Sequence, residues 1–269
     1  MSSFLYGYHV RANGVRLHLL RFGGHGPRLL LLPGITSPAI TWGFVAERLA
    51  RHYDVHVLDF RGRGLSFSAP GMDASLDAMA ADVLDLMEVL DWSSVSVLGH
   101  SMGARVAIRA AARDPRRMGE LLLIDPPMSG PGRRPYPVPL SWYVESIQLA
   151  IKGVTAEDLR PYAPSWTEEQ LQLRAEWLHT CSEEAIVQAH AGFHEDDIHA
   201  DLPKLKTPGL FMSAGKGGVV LPADLTEIEL LAPGLRQCTA FSAGDMIPWD
   251  DEADFYRLLG EYLKVDLLQ

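Results

Sequence analysis

The chain has 269 residues, enough for one large domain or one domain that carries an insertion. Its 47% hydrophobic and 22% charged residues are those of a globular protein. A formal net charge of −10 with no Lys/Arg block argues against nucleic-acid or anionic-membrane partners, which leaves a small molecule as the expected one.

Two distant cysteines, Cys181 and Cys238, give neither a disulfide framework nor metal-ligand spacing, so no metal is expected. No apolar run reaches a membrane span, and the N-terminus lacks the charged-then-apolar pattern of a secretory leader. A cytoplasmic, reducing setting fits these features.

The N-terminal stretch is β-rich, and Val15-Arg-Leu-His-Leu-Leu20 alternates as a half-exposed strand does. Arg28-Leu-Leu-Leu-Leu32 is a continuous apolar run, the mark of a strand buried on both faces, and it ends at the turn signal Pro33-Gly34. A helix is expected over 41–51, then a strand over 55–59 running into the glycine-rich turn Phe60-Arg-Gly-Arg-Gly-Leu-Ser66. Ser75 is a plausible N-cap for a helix whose apolar residues run from Leu76 to Leu90 at helical spacing.

The next strand, 94–98, leads into Gly99-His-Ser-Met-Gly103, and a helix-forming run follows from Ala104. Strand, sharp turn and helix thus meet at Ser101 within a Gly-x-Ser-x-Gly pattern. A Cβ at either glycine would crowd the strand or the helix. The turn lifts the serine hydroxyl to a helix N-terminus, where backbone N–H groups stabilise developing negative charge.

A further buried strand, 120–124, ends at Asp125-Pro126-Pro127. The texture then changes. Residues 128–137 are rich in Pro and Gly, and 139–200 read as helical with no strand. The β/α rhythm resumes with a strand at 209–213, a helix near 222–231, a strand around 238–242 and a final helix near 252–264. Such alternation implies a mostly parallel sheet flanked by helices.

These residues resemble the α/β-hydrolase family over essentially the whole chain. The resemblance rests on Pro33-Gly34, Asp59-Phe-Arg-Gly-Arg-Gly-Leu-Ser66, Gly99-His-Ser-Met-Gly103 and Gly244-Asp-Met-Ile-Pro-Trp249. It implies an α/β architecture with an eight-stranded, mostly parallel sheet and a helical lid inserted after the sixth strand. The core would comprise residues 1–127 and 201–269, and the lid 128–200. More narrowly, the chain is similar to cofactor-free deformylases of nicotinate degradation, which implies hydrolysis of a small amide or ester by a serine nucleophile. Another small-ester or carbon–carbon bond hydrolase, and a non-catalytic ligand-binding relative, are the alternatives.

Ser101 is then the nucleophile. The backbone N–H groups of Met102 and Ile35 are the oxyanion-hole donors, although Ile35 could simply pack. The family more often has a His before the glycine that here follows Pro33. Its acid usually follows the seventh strand, but Ser213-Ala-Gly-Lys-Gly-Gly218 has no carboxylate. Asp125, at a strand end, is the available substitute, unless it only shapes the turn.

The family's base is a His after the eighth strand. Here that position is Asp245, and no histidine follows His199. An aspartate of pKa near 3.9 is about 2.6 units less basic than imidazole. Close to Asp125 it would also share a proton. The expectation is a base-deficient, largely inactive variant, whether natural or engineered. His190, His194 and His199 in the lid are a rival source of a base, with His190 and His194 on one helical face. Beside Ser101, His100 reads as structural. Trp142, Tyr143, Trp177 and Phe193 are candidates for an apolar roof, and His190 for substrate contact. Arg133, Arg134 and Lys216 are candidates to hold a substrate carboxylate.

Overall fold

The computed structural model describes residues 2–268. Eight strands form one sheet: β1 (Phe4–Ala12), β2 (Val15–Phe22), β3 (Arg28–Leu32), β4 (Asp54–Asp59), β5 (Val95–His100), β6 (Met118–Ile124), β7 (Gly209–Ala214) and β8 (Leu235–Ala240). Their order is β1-β2-β4-β3-β5-β6-β7-β8. β1 and β2 pair antiparallel, as do β2 and β4, and every later pair is parallel. Central strands β3 to β7 are largely buried because both their faces are covered.

Helices α1 (Gly43–Leu49), α2 (Leu76–Val89) and α3 (Met102–Arg113) connect the first half of the sheet. Ser75 caps α2 as expected, its side chain accepting from the Ala78 N–H. Between β6 and β7 lie α4 (Leu140–Ile151), α5 (Ala156–Leu159), α6 (Glu168–Trp177) and α7 (Glu183–Glu195), with no strand among them. Capping boxes start α5 at Thr155 and α6 at Thr167. Helices α8 (Pro222–Leu231), α9 (Ile247–Asp250) and α10 (Glu252–Leu263) complete the chain.

Several expected boundaries shift. The 41–51 helix divides into a 3₁₀ turn, Ala39–Trp42, followed by α1. β5 runs on through Gly99 and His100 because both still pair with β6. β8 starts and ends earlier than the 238–242 estimate from sequence and pairs with β7 over Leu235–Ala240.

Arg105 is one of the side chains that hold the helical segment to the core. Buried Arg105 of α3 donates to the carbonyls of Pro127 (2.7 Å), Ser129 (2.9 Å), Gly192 (3.1 Å) and Asp196 (2.8 Å). Both ends of the 128–200 segment are thus tied to the helix that follows Ser101. Among the described residues no helix is long and apolar enough to cross a membrane.

Candidate active site

Ser101 sits between β5 and α3 at φ 52° and ψ −116°, a conformation that non-glycine residues rarely adopt. Its N–H donates to the Ile124 carbonyl at 2.8 Å, and its carbonyl accepts from Ala104 and Arg105 at 3.1 and 3.3 Å. Those bonds hold the strained backbone in place. The corner needs close approach. A Cβ on Gly103 would lie 2.0 Å from the Leu32 carbonyl oxygen, and one on Gly99 2.5 Å from that of Gly103. Met102 is the first residue of α3, where a backbone N–H has no partner inside the helix.

Ser101 opens into a cavity of about 500 Å³. Gly34, Ile35 and Thr36 after β3, Asp125 after β6, and Asp245 after β8 line it. Tyr136, Trp142, Tyr143, Trp166 and Arg174 of the helical segment line it too. Trp166 stacks on Trp249, which stands edge-on to Trp42.

The loop that carries Ile35 is fixed by a residue the sequence reading missed. Fully buried Arg63 donates from Nε to the Ile35 carbonyl at 2.7 Å, and its Nη2 lies 3.5 Å from Met102 Sδ. It therefore bridges both expected oxyanion-hole positions. Its signal, the Arg-Gly-Arg-Gly run, was visible in the sequence only as a turn.

Asp125 is buried. Its Oδ1 accepts from the Ala214 N–H at 3.1 Å and its Oδ2 has no protein partner. Burial first, then the charge of Asp245, push its pKa well above the usual carboxylate range. Asp245 accepts from the Gly218 N–H at 3.0 Å, so its carboxyl leans on the loop after β7. Burial raises its pKa, while hydrogen bonds from the Gly218 and Val219 backbone oppose the rise.

His100 is the single histidine among the described residues that line the cavity. Its Nε2 donates to the Asp245 backbone carbonyl at 3.1 Å, so it holds the loop that bears Asp245. Full burial lowers its pKa to about 4, which keeps it neutral.

Several expected substrate contacts lie elsewhere. Trp142 and Tyr143 line the cavity, but His190 and Lys216 do not. His190 Nε2 is turned to the Val138 carbonyl at 2.9 Å, and Lys216 is exposed. His194 accepts from the Tyr136 N–H at 3.2 Å, and His199 is buried near Asp197 and Glu227. His190 and His194 do share one face of α7, with ring centroids 5.4 Å apart. Phe193 and Trp177 are also away from the cavity, Phe193 packing on Tyr136. Arg133 and Arg134 are engaged by Glu227 and Asp224. Among the described residues no group of His, Cys, Asp and Glu has the geometry to hold a metal.

A serine at a strand–helix corner, above the C-terminal ends of a parallel sheet, defines the class. The chain belongs to the α/β-hydrolase fold family, whose model matches residues 27–180. It is a hydrolase of that fold. Over 263 residues it is 54% identical to N-formylmaleamate deformylase of Pseudomonas putida (strain KT2440), covering 98% of each chain. A crystal structure of N-formylmaleamic acid deformylase from Pseudomonas putida S16 superposes with a TM-score of 0.91 at 55% identity, over 94% of this chain and 100% of that one. The structure of E-2-(acetamidomethylene)succinate hydrolase matches with a TM-score of 0.80 at 21% identity, over 97% of this chain and 100% of that one, a likeness of fold alone.

Proposed function

We propose that this site is built to hydrolyse the formyl amide of N-formylmaleamate to maleamate and formate, and that Asp245 leaves it impaired. The observation that carries the reading is Ser101, strained at φ 52° and opening into a cavity of about 500 Å³, in a chain 54% identical to a deformylase. Residues 1–127 and 201–269 act as the core, and 128–200 as a lid over Ser101.

In the complete reaction Ser101 Oγ attacks the formyl carbon. The N–H groups of Met102 and Ile35 stabilise the oxyanion. A base at position 245, oriented by Asp125, takes the serine proton and returns it to the amide nitrogen as the C–N bond breaks. Maleamate leaves, and water releases formate from the formyl-serine ester. No cofactor enters these steps. Asp245 performs the base step poorly. It is less basic than imidazole, and one of its carboxyl oxygens is engaged by the Gly218 N–H.

Formate release from N-formylmaleamate, followed for this chain and for Asp245→His, tests the proposal. The histidine variant should turn over faster by on the order of 10⁴. Equal rates in the two proteins would reject position 245 as the seat of the base. The missing imidazole also favours a second reading, a ligand-binding relative with no turnover. That reading predicts that neither protein forms a formyl-serine adduct, which intact-protein mass spectrometry detects.

A further inference from the structure

Arg174 of α6 lines the cavity yet is only 4% exposed. Of its five N–H groups two reach protein acceptors, the Thr36 carbonyl and Thr36 Oγ1, both at a long 3.3 Å. Nε has no partner. The guanidinium lies 5.8 Å from the Trp142 ring and 5.5 Å from that of Trp166. Among the described residues no carboxylate stands within ion-pair distance of it, whereas buried charges are ordinarily paired. Burial pulls its pKa down, yet an arginine stays charged at neutral pH.

It is also the only cation among the described residues that line the cavity, because His100 is neutral. Asp245 and Asp250 line the same space and repel an anion. Any carboxylate admitted there needs a compensating charge, and Arg174 is the one present. The two indole rings beside it exclude water and strengthen such a pair.

We infer that Arg174 is the carboxylate anchor of this cavity, selecting N-formyl amides and amide products that carry a carboxylate over uncharged analogues. This deepens the deformylase reading and rests on it for the identity of the ligand. Arg174 binds rather than performs chemistry, so binding alone tests it, on the chain with Asp245 in place.

Calorimetric titration of the chain with maleamate and with the uncharged diamide maleamide is the experiment. Maleamate should bind the more tightly. Arg174→Gln should weaken maleamate at least about thirtyfold and leave maleamide unchanged. Arg174→Lys should retain part of the preference. Equal affinity for the two ligands in the unsubstituted chain would overturn the inference, and that comparison needs no variant to fold. So would a parallel loss of both ligands with a lowered melting temperature in Arg174→Gln, the sign of a purely structural tie to Thr36. Failure of the deformylase reading is seen separately, as absent formate release from Asp245→His alongside intact carboxylate discrimination.

Discussion

Asp125 and Asp245 show how burial decides what a carboxyl group is. Asp125 has one backbone donor, one unpartnered oxygen and a second carboxyl nearby. Protonation relieves both the desolvation and the repulsion, so the neutral acid is favoured. A carboxyl whose folded pKa is raised contributes stability that is present below its unfolded value and lost as pH climbs through the folded one. The melting temperature of the chain should therefore fall from about pH 5 to about pH 8 more steeply than that of Asp125→Asn. Calorimetry over that range measures the difference, and parallel profiles would show that Asp125 is already ionised. An imidazolium at position 245 would reverse the logic. It replaces repulsion by attraction, and Asp125 becomes the anion that orients a base.

At the scale of elements, the corner between β5 and α3 depends on what surrounds it. Arg105 gathers the Pro127 carbonyl and three carbonyls from the two ends of the 128–200 segment, and Phe193 packs against its guanidinium. Arg105→Met fills similar volume but leaves those carbonyls without their donor. We expect a loss of about 3 kcal/mol in urea denaturation. Hydrogen exchange should accelerate at 192–200 and remain slow in β3 and β5, since the sheet keeps its ladders. Uniform acceleration throughout the sheet would instead mark Arg105 as part of the global core.

For the molecule as a whole, two buried histidines govern the response to acid. Burial depresses His56 and His100 to about 4, and both are neutral in the fold. The unfolded chain takes up their protons near the ordinary value of about 6.5. Stability from these groups is present above that value and is lost as pH falls through about 4, on the order of 3 kcal/mol for each. His56→Gln should consequently show a shallower decline in melting temperature between about pH 6.5 and about pH 4 than the parent. An unchanged slope would mean that His56 is charged in the fold, held by Asp54 at 3.3 Å.

Much of the sheet was legible because β3, β6 and β7 carry continuous apolar runs, and Gly99 to Gly103 announces a strand–helix corner by its residues alone. β1 was not singled out, since its burial is confined to its last residues and an exposed edge strand carries no alternating apolar signature. Local sequence determined where a serine could be lifted from the sheet and which residue stands at the proposed base position, because backbone propensity and close glycine contacts act over a few residues. Tertiary structure alone decided that Arg174 is a cation without a carboxylate, that Arg133 and Arg134 are already paired, and that His190 and Lys216 are outside the cavity. Charge pairing and burial are settled by residues far apart in the chain, and only their convergence in the fold shows which groups remain for a ligand.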